Sequence, residues 1–193
     1  MKKILVVHAI ALEQFPVQIP GAEVKTVLSG IGKTNAAMNM MKALIEFQPD
    51  YVLNIGSSGT LNHNVGDIIV SHHFVDRDLE RMKLFGLEYD ITTDCPKGVN
   101  VKSMISGVEV SEDFIVNTGD DFVTAGADIT GDAVDMEVFA EAMACRQMNV
   151  PMLSIKYVTD VVGKNSVEAW EEKLADAREG LEVFMNKNAL FFA

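Results

Sequence analysis

Residues 3–8 have the sequence KILVVH, in which four apolar side chains follow one another. A strand that is wet on one face alternates apolar with polar residues, whereas an unbroken apolar run is typical of a strand covered on both faces. Residues 51–55, YVLNI, form another apolar run. These runs predict strands of a sheet that carries helices on both of its faces.

Helical periodicity alternates with the predicted strands. Apolar residues recur at helical spacing from Thr34 to Phe47, and Pro49 marks the end of that helix. Further strands are predicted at residues 24–28, 67–71, 114–117 and 152–158, and further helices at residues 135–149 and 167–185. The alternation predicts a single α/β domain over residues 1–193, with three layers, α/β/α, and a central mixed sheet.

Charge and composition exclude several partners. Acidic residues outnumber basic ones by 28 to 16, and nucleic-acid binding requires a basic face, so we expect no nucleic-acid partner. No stretch reaches the roughly 20 apolar residues of a membrane span, and we expect no membrane partner.

His63, His72 and His73 lack zinc-site spacing, so we predict no metal. Cys95 and Cys145 form no CxxC pair, which favours reduced thiols in a cytoplasmic protein.

The predicted sheet also indicates where a ligand would bind. In open α/β sheets, ligands lie beyond the carboxyl ends of the strands. The segments at these ends are residues 8–13, 29–32, 56–59, 118–122 and 159–160. Gly56-Ser57-Ser58-Gly59 can present N–H groups and hydroxyls to an anion or a water molecule, although a plain turn would use the same residues.

Acidic residues recur in or beside these segments. Glu13 and Asp160 each follow a predicted strand, and Asp135 and Glu137 begin a predicted helix. Each acid has a structural explanation, as a loop residue, a turn residue or a helix cap. Their joint occurrence is what favours a catalytic site.

Seven short motifs follow one another in order along the chain: the acid Glu13 after the first strand, SGIGK at residues 29–33, NIGSSG at 54–59, VGDIIVS at 65–71, GDDF at 119–122, AVDME at 133–137 and VTDV at 158–161. Together they resemble the 5′-methylthioadenosine/S-adenosylhomocysteine nucleosidases of the nucleoside phosphorylase superfamily. Any one motif is weak, but the ordered set is specific. The resemblance implies a nucleoside phosphorylase-like fold and a purine nucleoside substrate, and we predict no cofactor.

The resemblance also implies a catalytic set. Asp160 is expected to be the general acid that donates a proton toward N7 of the departing purine. Glu13 is expected to be the general base for the attacking water, which Ser57, in the loop that Gly56 begins, helps to hold near C1′. Lys156 stands where the family commonly has an arginine, and lysine keeps the charge but loses the planar fork. The resemblance implies that Lys156 and Gly56 are also substrate-binding residues.

Further residues are expected to bind the substrate. Glu137, with the backbone of Met136, is expected to bind the ribose hydroxyls. Phe122 is expected to stack on the base, and the backbone of Val123 to hydrogen-bond the base edge. Because the family usually forms dimers that complete each other's pockets, the resemblance also implies a homodimer.

The chemistry requires such a set on its own account. Cleavage of a ribosyl–purine bond passes through an oxocarbenium-like state, as in glycoside hydrolysis. The purine needs a proton to leave and the water must lose one, so one carboxyl group must begin protonated and another ionised. Different local environments, for example different burial, can arrange this.

Two alternatives remain open. A phosphorylase of the same fold would need a positively charged phosphate pocket, usually built with arginines. The arginines are Arg77, Arg81, Arg146 and Arg178, and we expect none of them at a strand-end glycine loop, which favours water as the nucleophile. The second alternative is a nucleoside-binding protein without catalysis.

Overall fold

The structure is a computed structural model that describes residues 1–82, 84–99, 114–123, 129–163 and 166–193. In these ranges the strands are β1 (Lys2–His8), β2 (Ala22–Leu28), β3 (Tyr51–Thr60), β4 (Ile68–Ser71), β5 (His73–Asp76), β6 (Asp90–Thr92), β7 (Ile115–Thr118), β8 (Ala133–Asp135) and β9 (Met152–Val161). The α-helices are α1 (Lys33–Phe47), α2 (Arg77–Met82), α3 (Val138–Gln147) and α4 (Ser166–Asn188). Short 3₁₀ helices lie at Ala11–Glu13 and Ala189–Phe192.

All of these strands belong to one mixed sheet. β1 lies between β2 and β3, parallel to both, and β3 continues parallel to β9. At its carboxyl end β3 also pairs antiparallel with β8, which leads to β7 and β5 through parallel pairs. The antiparallel strands β4 and β6 pair with β9 and β5. The predicted α/β fold with a central mixed sheet is therefore confirmed.

Helices cover the sheet on both faces. On one face, side chains of α1 and α3 pack with the alternate residues Leu5 and Val7 of β1. On the other face, side chains of α4 pack with Ile4 and Val6. The unbroken apolar run at the start of the chain therefore supplies both cores, and both of its faces are dry.

Several predicted element boundaries were wrong, and these errors lie at the carboxyl ends of β3, β8 and β9. β3 does not stop at Ile55 but continues through the Gly56–Gly59 segment to Thr60, and β9 continues past Val158 to include Asp160. Asp135 ends a strand, and the following helix begins only at Val138. The glycines and polar residues in these segments suggested strand ends, because local propensity carries no information about pairing with a strand that is remote in sequence.

Among the helices in the described ranges, none has both the length and the apolarity needed to cross a bilayer. The longest, α4, instead lies against β9 and β3. Gly180 of this helix faces Tyr157 of β9, and a methyl group at Gly180 would come within 2.6 Å of Tyr157 Cε2.

We expect Gly180→Ala to destabilise the protein, although alanine favours helix more than glycine by roughly 1 kcal/mol. The methyl group would overlap the Tyr157 ring, and overpacking costs about 1–3 kcal/mol. Chemical denaturation would measure the change. In a Tyr157→Ala background, where the ring is absent, the same substitution should become neutral or stabilising; a loss that persists there would contradict this explanation.

Candidate active site

A cavity of about 300 Å³ opens at the carboxyl ends of β1, β3, β8 and β9. Its lining includes every residue for which the sequence predicted a catalytic or binding role: Glu13, Gly56, Ser57, Phe122, Val123, Met136, Glu137, Lys156 and Asp160. These residues come from five separate segments of the chain. The parallel strands β1, β3 and β9 deliver their carboxyl ends to the same edge of the sheet, and β8, which pairs antiparallel with the end of β3, brings Met136 and Glu137 beside them.

Two glycines of β3 make room for two of the carboxyl groups. A methyl group built on Gly56 would lie 3.3 Å from Glu13 Oε2, and one built on Gly59 would lie 3.0 Å from Asp160 Oδ2. The segment between the glycines thus lies between Glu13 at one end and Asp160 at the other. Side chains at these positions would press on the two acids, which explains glycine there better than turn geometry does.

Glu13 lies at the end of the 3₁₀ helix that follows β1, and it is only 3% exposed. Its Oε1 accepts hydrogen bonds from the Ser57 backbone N–H at 2.9 Å and from the Ser57 hydroxyl at 2.5 Å. Its Oε2 is buried and has no hydrogen-bond partner among the described residues. One oxygen therefore anchors the carboxylate, and the other can accept a proton from a bound nucleophile.

Asp160 is positioned by an irregularity in the pairing of β3 with β9. The register shifts after Ser58, which pairs with Val158, so that Gly59 pairs with Asp160 and Thr159 is the extra residue. Bulges of this kind redirect side chains next to active sites. The hydroxyl of Thr159 lies 2.9 Å from Asp160 Oδ1, and the aspartate is 2% exposed. The bulge thus holds a buried acid at the cavity wall.

Glu137 lies between β8 and α3, close to the start of α1. Its Oε1 accepts a hydrogen bond from the Gly32 N–H at 2.9 Å, and its Oε2 accepts one from the Met136 N–H at 3.3 Å. Burial, followed by the charge of Asp135, raises the pKa of Glu137 to about 8. The carboxyl group therefore holds its proton more tightly than an exposed glutamate does.

Lys156 supplies a buried positive charge beside these acids. Its Nζ lies 2.8 Å from Asp135 Oδ2, and the two side chains are 3% and 2% exposed. Burial by itself lowers the pKa of Lys156, but Asp135 and Glu137 outweigh this effect and raise the pKa above its ordinary value. Thr118 Oγ1 donates to the other oxygen of Asp135 at 2.6 Å, so both carboxylate oxygens have a partner.

Comparisons with known proteins identify the family of the chain. Residues 13–186 match the Phosphorylase superfamily. A 5′-methylthioadenosine/S-adenosylhomocysteine nucleosidase from a Geobacillus species is 32% identical in an alignment of 182 positions that covers 83% of this chain and 77% of that protein. The chain belongs to this nucleosidase family. The corresponding enzyme from Bacillus subtilis is 34% identical in an alignment of 178 positions that covers 81% of this chain and 76% of the relative.

Solved structures of nucleosidases share the fold. The Colwellia psychrerythraea nucleosidase, solved in complex with adenine, superimposes with a TM-score of 0.77 at 26% identity and covers 98% of this chain and 96% of its own. The nucleosidase from S. pneumoniae, solved with a transition-state inhibitor, has a TM-score of 0.82 at 20% identity and covers 99% and 100% of the two chains. The expected nucleoside phosphorylase-like architecture is thereby confirmed.

Arg77 is a residue of this nucleosidase that the sequence did not point to. Its side chain is 1% exposed, lines the cavity and reaches the Gly119–Asp121 loop, so the expectation of no arginine at a strand-end glycine loop was wrong. It donates to the carbonyl groups of Asn117, Gly119, Asp121 and Asp135 and to the Asp121 carboxylate. Gly119 is needed here, because a methyl group on it would lie 2.5 Å from Arg77 Nε.

Glu141 is a second residue that the sequence analysis missed. It is fully buried on α3 and accepts a hydrogen bond at 2.7 Å from the Asn54 side chain, whose oxygen accepts one from Ser154 Oγ at 2.8 Å. Burial raises the pKa of Glu141 to about 7, although Lys156 opposes the effect. Its position four residues after Glu137, within an apolar stretch of helix, was the available signal.

We expect Glu141→Gln to become more stabilising as the pH rises. The pKa of Glu141 is about 7 in the fold against an ordinary value of 4.5, so the folded protein binds the proton more tightly and stability falls as pH rises between these values. Glutamine removes that loss. Relative to wild type, the unfolding free energy of the variant should gain about 2 kcal/mol between about pH 5 and about pH 8.

Denaturant titrations at the two pH values would measure this gain. Glu179→Gln, on an exposed position of α4, is the matched control and should change stability equally at both pH values. A Glu141→Gln effect that is independent of pH would rule out a proton held at this carboxyl group.

Proposed function

We propose that this protein hydrolyses the N-glycosidic bond of an adenine nucleoside, with 5′-methylthioadenosine or S-adenosylhomocysteine as substrate. The observation that carries the proposal is the convergence of Glu13, Glu137 and Asp160 on one cavity in a chain of this nucleosidase family. Three acids that are remote in sequence but share one cavity can provide a proton for the departing purine, a base for the attacking water and a ligand for the ribose.

Asp160 acts as the general acid in this proposal. Departure breaks the bond between C1′ and the purine nitrogen, and the bonding electrons go to the purine. A proton from Asp160 to N7 neutralises the leaving base, so that it does not depart as an anion. The aspartate suits this role because it is buried and because the bulge at Thr159 directs it to the cavity wall.

Glu13 acts as the general base. Water attacks C1′ as the ribosyl group becomes cationic, and its proton passes to the carboxylate. Oε1 is held by Ser57 through two hydrogen bonds, which leaves Oε2 as the oxygen that faces the attacking water. The negative charge of Glu13 also stabilises the oxocarbenium-like state.

Glu137 binds one half of the nucleoside, and Phe122 and Val123 bind the other. A carboxyl group beside the Met136 backbone can bind the adjacent ribose hydroxyls, and the Gly32 N–H holds it in place. Phe122 is partly exposed at the cavity rim and can stack on the purine, while the backbone of buried Val123 can reach the edge of the base. Lys156, paired with Asp135, keeps the charge near the sugar balanced.

The cavity favours water over phosphate as the nucleophile. A guanidinium group has five N–H donors, and those of Arg77 are directed at five protein oxygens. Lys156 is likewise committed to Asp135. The cavity-lining cations of the described residues are thus engaged by the protein, and phosphate would have to displace these contacts.

Release of the free purine base decides between hydrolase, phosphorylase and binding protein. We expect methylthioadenosine and adenosylhomocysteine to be cleaved faster than adenosine, inosine or AMP, at the same rate with and without phosphate. Strict dependence on phosphate would establish a phosphorylase. Binding of adenosine analogues without any release of base would leave a binding protein.

We expect Asp160→Asn to lower kcat by about 10²–10⁴-fold, because amide cannot donate the acidic proton, while substrate binding is retained. Steady-state kinetics with isothermal titration would separate the two effects. Asp94→Asn, on an exposed position away from the cavity, is the matched control and should behave as wild type. Near-normal turnover by the Asp160 variant would remove the general acid from the mechanism.

The proposal includes a homodimer in the cytoplasm. A groove of about 650 Å³ between α1 and α3 is lined by Met38, Met41 and Met143, and Met38 is 69% exposed. Flexible apolar side chains of this kind suit a protein interface, and a second copy of the chain is the occupant we propose.

Light scattering should therefore give twice the mass of one chain at working concentration. Met143→Glu should shift the protein toward monomer, because it places a charge in the groove. Val183→Glu, at an exposed position on α4, should leave the mass unchanged. A monomeric wild-type protein, or a dimer that only the Val183 variant disrupts, would contradict this interface.

A further inference from the structure

Trp170 lines the same cavity and has no role in the mechanism described so far. It is the only tryptophan in the chain and lies in the first half of α4. Its indole makes two contacts with residues already assigned to the site, Ser57 and Phe122.

The polar contact continues to the proposed base. Trp170 Nε1 donates a hydrogen bond to Ser57 Oγ at 2.9 Å, and Ser57 Oγ lies 2.5 Å from Glu13 Oε1. An indole N–H can only donate, and an ionised carboxylate can only accept. The direction of the chain is therefore determined: from Trp170 to Ser57, and from Ser57 to Glu13.

We propose that Trp170 is a positioning residue that orients the base of the hydrolysis through Ser57. This inference rests on the proposed function. The serine hydroxyl has a single hydrogen, and it rotates to suit its neighbours. Because Trp170 occupies an acceptor position of Ser57, the hydroxyl hydrogen stays directed at Glu13 Oε1. The carboxylate is then held in the orientation that presents Oε2 to the attacking water.

The apolar contact is separate from this effect. The rings of Trp170 and Phe122 meet edge to face, with centroids 6.1 Å apart at an interplanar angle of 66°. An aromatic ring at position 170 can keep this contact without an N–H group. Trp170→Phe therefore removes the hydrogen bond while keeping an aromatic surface, whereas Trp170→Leu removes both.

A double-mutant cycle with Ser57→Ala tests the inference. We expect Trp170→Phe to lower kcat about fivefold with little change in KM, the effect of one lost hydrogen bond on a step that needs an oriented base. In the Ser57→Ala background, Trp170→Phe should cause no further loss, because the residue through which it acts is absent. Trp170→Leu should additionally raise KM through the lost contact with Phe122.

Equal losses of kcat in both backgrounds would show that Trp170 contributes only packing and would overturn the inference. No effect of Trp170→Phe on wild type, or an effect on KM alone, would overturn it as well. These outcomes require an active wild type, so they differ from failure of the proposed function, in which the wild-type protein releases no adenine.

A second measurement is independent of activity. The single indole N–H should give one side-chain signal in a ¹H–¹⁵N spectrum, and its exchange with solvent should be slowed by the bond to Ser57. Ser57→Ala should shift this signal and speed its exchange, with the remaining spectrum showing an intact fold. An indole signal that Ser57→Ala leaves unchanged would overturn the inference even if the enzyme were inactive.

Discussion

The site depends on the interaction of the buried Lys156 ammonium group with the acids around it. Asp135, Glu137 and Glu141 are all buried near this one charge, and unpaired carboxylates in a protein interior carry a large desolvation cost. The cation is paired directly with Asp135 and counteracts the rise in pKa of the other two acids. Without it, the buried carboxylate of Asp135 would lose its ion-pair partner, and the pKa values of Glu137 and Glu141 would rise further.

The acids are distinguished by what surrounds each of them. Asp135 has a direct cationic partner, Glu137 accepts from two backbone N–H groups, and Glu13 accepts from a backbone N–H and a hydroxyl of the same serine. Asp160 instead adjoins a strand bulge and a threonine hydroxyl. Carboxyl groups thereby receive different environments within one cavity, and such differences are what the proposed donor and acceptor roles require.

The glycines show why some boundaries could not be predicted. Gly56 and Gly59 suggested the end of a strand, yet β3 runs through both. They are small because Glu13 and Asp160 lie against them, not because the chain turns. A contact with a residue more than forty or a hundred positions away leaves no local signal, so composition indicated the importance of this segment but misidentified its conformation.

From its sequence alone this protein could be assigned an α/β fold with a doubly covered mixed sheet, because unbroken apolar runs and helical periodicity are local properties that burial imposes along the chain. The ordered motifs also marked the acids of the site. Only the tertiary structure decided that Arg77 would be engaged by five protein oxygens, that Glu141 would lie behind the cavity, and that Trp170 would reach Ser57. These contacts join segments remote in sequence, and the pairing of the strands that brings them together is a property of the whole fold.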